Sequence, residues 1–277
     1  MTSFANNAAA TSARANWRRA IEDLWDGSAH WWVWTAMAWQ DIVQRYRGSV
    51  LGPFWLTIST GFMCLSVGLL YSKVLNQSIA SYLPFLCLGM ALWGFISTVA
   101  NEGCVCFLSA EPIIRQIRMP FTTHVNRTVL RNLIVLAHNA VVYVVIAVYF
   151  QIPLHPRSLL VLPGLALLTV NGAWMCLLLG MICARFRDFA PIVGTLLQIA
   201  FLLTPILWTP AAFAGWNRRW IIDLNPLYAL IEIVRGPLLG DPVASLHWAV
   251  ALATTAAGWS LTLWFFARYR ARIPYWL

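Results

Sequence analysis

Long apolar runs, separated by short polar segments, recur six times along this chain, near 51–72, 83–101, 132–150, 158–182, 190–208 and 245–267. Each comes close to the roughly 17–25 residues a helix needs to cross a bilayer, so the pattern predicts six transmembrane helices in an all-α protein. Residues 31–47 follow another rule. Trp31, Trp34, Ala38 and Ile42 share a broad face with Trp32, Trp39, Val43 and Tyr46, while Gln40, Asp41, Gln44, Arg45 and Arg47 take the opposite side. That spacing predicts an amphipathic helix lying on the membrane surface, with Asp41 and Arg45 as an i,i+4 pair. Between the second and third runs, Ser109 and Glu111 precede Pro112, a helix start, and Pro120 ends the turn. Ile113, Ile114 and Ile117 give that 109–127 loop an apolar edge beside Arg115 and Arg118. Between the fifth and sixth runs, residues 209–244 stay apolar but are broken by Pro210, Pro226, Pro237 and Pro242 and by Gly215, Gly236 and Gly240. Two short helices fit there, 211–222 and 226–235, too short to span and therefore re-entrant or interfacial. The predicted organisation is an N-terminal segment over 1–49, a six-span domain over 50–268 and a tail over 269–277.

Composition sharpens this. Of 277 residues, 60% are hydrophobic and 10% charged, against roughly 25% charged in soluble domains. A water-soluble enzyme and a disordered tail are both excluded. The net charge of +9 comes from eighteen arginines and Lys73 against ten acids. So apolar a chain presents no open basic surface to nucleic acid, and sorting the cations by position gives them another use. With the N-terminus inside, fourteen arginines fall in cytoplasmic segments, Arg115, Arg118, Arg185 and Arg187 among them, and five basic residues fall outside. Both termini are therefore expected in the cytoplasm. Many tryptophans, including Trp55, Trp208, Trp216, Trp248 and Trp264, sit at predicted span ends, where amphipathic rings favour the interface. No apolar core followed by a small-residue cleavage site opens the sequence, so no signal peptide is expected.

Much chemistry is missing. The predicted spans carry no carboxylate near mid-bilayer, Glu102 sitting at the inner end of the second, so coupling to an ion gradient is not expected. There is no GxxxxGK[ST] phosphate loop; if ATP drives this protein, another chain hydrolyses it. The five histidines form no HExxH pattern and no nucleophile elbow is present. The six cysteines form no CxxC pair and read as small apolar fillers, so no metal or other cofactor is expected in this chain.

Some chemistry is present. In the first span Thr57, Gly61, Cys64 and Gly68 form a small-residue stripe suited to close helix packing. On another face Trp55, Ser59, Phe62 and Ser66 alternate rings and hydroxyls, and in the fifth run Gly194, Gln198, Phe201, Pro205 and Trp208 share a side. Rings that stack on apolar sugar faces, mixed with hydroxyl and amide groups, suit the walls of a sugar-chain conduit. Asp223, Glu232 and Arg235 lie in the broken outer stretch. Charges at that depth need water or a partner, which predicts a vestibule there.

The blocks RYRGSVLGPFWLTIS (45–59), YLPFLCLGMALWGFIS (82–97), NEGC (101–104), ARFRDF (184–189), LLTPILW (202–208), LNPLYALIEIVRGPLLG (224–240) and the ending RIPYWL (272–277) occur in that order. In this the chain resembles the membrane permease of a bacterial polysaccharide ABC exporter, the O-antigen (Wzm-like) type within the type-2 ABC permeases. The likeness runs from about residue 20 to the end and is most specific in the 224–240 block and the terminal motif. Capsule-exporting relatives usually differ around the first span, which favours O-antigen-like cargo over capsule, with teichoic acid also open.

The resemblance implies six spans per subunit and a homodimer enclosing a channel in the inner membrane, with two ATP-binding subunits beneath that hold ATP and Mg. It implies a cargo of undecaprenyl-diphosphate-linked polysaccharide. Residues 31–47 would correspond to the interface helix at the cytoplasmic entrance, and 111–118, with Glu111, Ile114, Arg115 and Arg118, to the coupling helix on the ATPase. Residues 211–235, with Asp223, Asn225, Tyr228, Glu232 and Arg235, would correspond to periplasmic gate helices, and the first and fifth spans to channel walls. Arg45, Arg47, Arg185 and Arg187 could meet the pyrophosphate, since arginine suits bidentate phosphate contact, or could serve topology alone. A permease for a small lipid or drug, and a membrane enzyme acting on lipid-linked glycans, are the competing readings. The missing acid/base cluster weighs against the enzyme.

Overall fold

The structure is a computed structural model that describes residues 2–47, 52, 54–153, 155–210 and 220–277. Among these every regular element is helical. Five helices are long and apolar enough to cross a membrane: Thr57–Val74, Ile79–Gln116, Phe121–Tyr149, Pro156–Arg185 and Ser245–Trp276. Within them the elements are α3 (Phe54–Val74), α4 (Ile79–Ser109), α5 (Glu111–Gln116), α6 (Phe121–Tyr149), α7 (Val161–Arg185), α11 (Ser245–Tyr269) and α12 (Ile273–Trp276). The run expected as a fifth span, 190–208, is instead helical only over α8 (Phe189–Leu203). At 1.5 Å per residue, 15 residues reach about 22 Å, short of the roughly 30 Å apolar layer.

The physical reason lies in Thr204 and Pro205. Proline lacks the N–H a helix needs and biases the residue before it away from helical geometry. Thr204 is extended at ψ 136°, and residues 204–209 continue without a helix. Irregular backbone at membrane depth survives only where protein satisfies its carbonyls, and here protein does. Arg235 Nη1 donates to the Pro205 carbonyl at 2.8 Å, and the Tyr82 hydroxyl donates to the Leu207 carbonyl at 2.5 Å. Asn225 Nδ2 donates to Thr204 Oγ1 at 3.2 Å, and Gln77 Nε2 to Thr209 Oγ1 at 2.7 Å.

Beyond the break, the predicted 211–222 helix lies mostly outside the described residues, which hold only its end as α9 (Trp220–Asp223). The 226–235 helix is present and longer, as α10 (Pro226–Leu239). Asn225 caps it, its side chain accepting from the N–H groups of Leu227 and Tyr228, with Pro226 in the first turn. Gly240 ends it at φ 81°, a left-handed geometry that glycine adopts freely, while the Asp241 N–H closes on the Gly236 carbonyl at 2.9 Å.

The amphipathic helix predicted over 31–47 is α2 (Trp31–Arg45), and a helix that the apolar pattern gives no sign of, α1 (Thr2–Ala29), precedes it. α4 is the central element, packed against α3, α6, α7, α8 and α10. It meets α7 at close range: a Cβ on Gly103 would lie 2.9 Å from Cys176 Cα, and one on Gly180 3.1 Å from the Gly103 carbonyl oxygen. Small residues there let two backbones approach. The stripe expected on α3 is close at one glycine and looser at the other: a Cβ on Gly68 would lie 2.5 Å from Leu83 Cδ1, whereas one on Gly61 would meet nothing nearer than Val142 at 3.6 Å. All six cysteines are buried and unbridged, as fillers.

Gly103→Leu is therefore expected to destabilise the chain by about 1–3 kcal/mol or more through overpacking, read as a lower unfolding midpoint in detergent. Gly94→Ala, where an added Cβ meets nothing within 4 Å, should leave the midpoint unchanged or raise it. Equal midpoints for Gly103→Leu and the wild type would contradict the close crossing.

Candidate functional site

At one end of the bundle, α2, α4 and α6 are joined through charge. Asp41 accepts from Arg127 Nε at 2.7 Å and from Arg131 Nη1 at 2.5 Å, and Glu102 accepts from Arg131 Nη2 at 2.7 Å. Glu102 also accepts from Asn132 Nδ2 at 2.7 Å and from Arg45 Nη2 at 2.9 Å. Asp41 and Arg45 thus pair with other helices rather than with each other, because α2 lies with its charged edge against α6. Arg127 and Arg131, counted in sequence only as orientation charges, are structural ligands to these acids. Burial acts to raise the Asp41 pKa, but Arg127 and Arg131 outweigh it and hold the carboxyl below the usual aspartate value.

A second anchor joins the two ends of the chain to the loop between spans. The Asp23 side chain is fully buried and accepts from the Phe121 N–H at 3.2 Å, the Thr122 N–H at 3.1 Å and Arg270 Nε at 2.7 Å. α1 comes this close because residue 27 is glycine: a Cβ there would lie 2.0 Å from Thr122 Oγ1. The N-terminal helix and the C-terminal turn therefore lie on the same side of the bundle. α12 continues from that turn and packs against α5 and α7.

α5 sits where the coupling segment is expected. Glu111 and Arg115 form an i,i+4 ion pair at 2.8 Å, Ile114 packs inward against the core, and Arg115, Ile117 and Arg118 face outward. Arg47, Arg185 and Arg187 are exposed as well, with Arg185 stacked 5.6 Å from the Phe186 ring centre. Arg45 differs from them in its bond to Glu102.

The residues expected as channel walls fall into two groups. Trp55, Ser59, Phe62 and Ser66 all lie exposed on α3. Gln198 and Phe201 lie in a groove of about 660 Å³ between α4 and α8. α3 packs on α4 and α6, and α8 on α4 and α7, so α4 stands between the two stripes within one chain. Trp208 comes after α8, its indole N–H donating to the Leu202 carbonyl at 3.1 Å. The groove also takes Trp93, Ser97 and Asn101 from α4, with Trp93 5.6 Å from Phe201 ring to ring. These three were missed in the sequence, although their i, i+4, i+8 spacing puts them on one helical face.

The charged and polar residues expected at the gate are tied to neighbours within the bundle. Arg235 is fully buried; it donates to Glu232 Oε2 at 2.6 Å from Nη2 and lies 3.8 Å from the centre of the Phe85 ring. Its charge is balanced by a carboxylate and a ring face instead of by water. Asn225 caps α10, Tyr228 meets the His247 ring edge-on at 5.1 Å, and His247 Nε2 is 3.9 Å from Asp223 Oδ1. No group of three or more potential metal ligands occurs among the described residues.

Comparison with known proteins places this geometry. The sequence profile of the ABC-2 type transporter family matches residues 33–239, from the first turn of α2 to the end of α10. The O-antigen export system permease protein RfbA of Myxococcus xanthus is 27% identical over 194 residues, covering 69% of this chain and 74% of that protein.

The Asp41 pairing gives a pH test. A carboxyl with a depressed folded pKa contributes stability above its unfolded pKa, and that contribution begins to fade as pH falls to the ordinary value of 3.8 and is lost as pH falls on through the lower folded value. Asp41→Asn is expected to lower stability at pH 7 by on the order of 3 kcal/mol, because two guanidinium groups lose their counter-ion. It should also flatten the loss of midpoint between pH 5 and pH 3, roughly the window around that value. Thermal unfolding across that range checks both.

Proposed function

The chain belongs to the ABC-2 type transporter family and is a multi-pass membrane permease; from that premise we propose that it exports a lipid-linked polysaccharide, O-antigen-like, across the bacterial inner membrane. The single observation that carries the cargo assignment is the α4–α8 groove. It offers rings (Trp93, Phe201) beside neutral hydroxyl and amide groups (Ser97, Asn101, Gln198) and no carboxylate, which is a surface for sugars rather than for a charged solute. The likeness to an O-antigen export permease supports the same reading.

In this proposal two copies of the chain face each other, and the exposed α3 stripe and the α4–α8 groove line one conduit. α8 and the protein-satisfied segment after it together complete a sixth crossing, and α9 and α10 return into the outer face as gate helices. Both termini lie in the cytoplasm, in keeping with the arginine count. The domain division is 1–49, 50–268 and 269–277, with the coupling loop at 109–127 and the gate region at 209–244. The chain needs no cofactor of its own; ATP and Mg reside in two ATP-binding subunits that dock on α5 through Ile117, Arg115 and Arg118. Arg47, Arg185 and Arg187, all exposed, together with Arg45 are available to the diphosphate of the incoming lipid.

The test is to purify the chain with candidate ATP-binding subunits in mild detergent and measure ATP hydrolysis with and without undecaprenyl-diphosphate-linked polysaccharide. Stimulation by that lipid, and not by a short-chain lipid or a drug panel, is the expected result. Failure of any such subunit to co-purify or respond would reject the proposal. Arg115→Glu and Arg118→Glu are expected to insert normally and to lose about tenfold in stimulated hydrolysis, roughly 1.4 kcal/mol of docking. Wild-type stimulation in both would remove α5 from the coupling role.

A further inference from the structure

Between the inner ends of α4 and α6, directly beside the start of α5, lies a pocket of about 230 Å³ that the export reading does not use. It is lined by Glu102, Ser109, His124, Arg127, Thr128 and Arg131, together with Val105, Cys106 and Ala110. Such a volume has room for several waters or one small ion, a water occupying about 30 Å³.

The polar atoms around it are unevenly used. Glu102 is committed, both oxygens accepting from Arg45, Arg131 and Asn132. Thr128 donates to the His124 carbonyl at 3.0 Å and Ser109 to the Cys106 carbonyl at 3.1 Å. His124 is 2% exposed, yet neither ring nitrogen has a hydrogen-bond partner among the described residues, and the buried Nε of Arg131 is unpartnered too. Buried donors without partners are costly, by about 1–3 kcal/mol each, so native structures seldom leave them so.

Charge selects the guest. Arg45, Arg127 and Arg131 face Asp41 and Glu102 in the connected network, three positive charges against two negative. The neighbouring Asp23–Arg270 pair adds no net charge. The pocket is thus positive by one unit, and two of the residues lining it carry an unpartnered buried donor, Arg131 Nε–H and whichever imidazole nitrogen carries the proton. A cation would meet two guanidinium groups. A water would satisfy the donors but leave the excess charge, whereas an oxyanion does both.

We propose that this pocket binds a small oxyanion with the chemistry of inorganic phosphate, taken up as the free ion. Its walls are buried or half-buried residues of α4 and α6, with Val105 and Ser109 exposed at its rim, and its small volume suits an ion and not a headgroup on a glycerol backbone. Bound there, the ion ties His124 and Arg131 together immediately above the turn that leads into α5.

The test uses the full chain, purified in detergent without any partner. Thermal unfolding is followed at fixed pH and ionic strength while millimolar phosphate replaces chloride. A saturable rise of the midpoint by a few degrees is expected with phosphate. That rise should vanish in His124→Leu and in Val105→Trp, which plugs the rim from an exposed position, and should persist in Arg157→Gln on the opposite side. If His124→Leu does not fold, Val105→Trp and the wild-type titration decide the matter. No difference between phosphate and chloride means that the pocket holds water only and overturns the proposal. A rise that grows without saturation and survives both variants is a general salt effect and also overturns it. A rise given by phosphatidylglycerol but not by phosphate assigns the site to a lipid headgroup and overturns uptake of the free ion.

Discussion

Charge withdrawn from water must be paired, and that requirement organises this chain more than any single apolar contact does. The desolvation penalty is several kcal/mol per ion even after relaxation, so each charged group carried into the bundle decides which helices can sit together. Asp41 and Glu102 bring α2 against α4 and α6 through Arg127, Arg131 and Arg45. Asp23 draws the N-terminal helix onto the start of α6 and onto Arg270 at the far end of the chain. Arg235, balanced by Glu232 and the Phe85 ring, holds the backbone break at Pro205 in place. Without that guanidinium the Pro205 carbonyl would face an apolar interior, and α8 could not stop where it does.

These internal pairings leave particular surfaces for function. With most acids consumed, the exposed faces at membrane depth are neutral: the ring-and-hydroxyl stripe of α3 and the groove shared by α4 and α8. A conduit for uncharged sugar units needs surfaces of this kind, with rings to stack against and amides to exchange hydrogen bonds as the chain slides past. Exposed arginines lie on and after α5 and after α7. In the export reading they meet the ATP-binding subunits and the diphosphate of the cargo.

Much of this was legible in the sequence because hydropathy is a local signal. Runs of apolar residues announced α3, α4, α6, α7 and α11, and the 3.6-residue period of residues 31–47 announced α2. What escaped was set by distant partners. Arg127 and Arg131 read as positive-inside charges because Asp41 lies 86 and 90 residues away in sequence. The fifth run looked like one continuous helix because hydropathy does not register that Thr204 and Pro205 end the helix, nor that Tyr82 and Arg235 wait to satisfy the freed carbonyls. α1 carries no apolar run, so its pattern gave no warning, and its docking depends on a buried aspartate that resembles any solvated one. Of the residues that the export reading places along the conduit, those on α3 and α8 stand out by their own spacing. Trp93, Ser97 and Asn101 were passed over because α4 is apolar on every side and its one open face becomes distinct only once α8 lies beside it.

The most direct measurement is translocation itself. Proteoliposomes holding this chain and its ATP-binding subunits would be loaded on the outside with labelled undecaprenyl-diphosphate-linked polysaccharide, and label protected from an added glycosidase would be followed after ATP addition. The account predicts protection that grows with time only when ATP, magnesium and the polysaccharide-bearing lipid are all present, and that is absent with a non-hydrolysable analogue. Protection that develops without ATP, or none at all in vesicles whose ATPase is active, would contradict it.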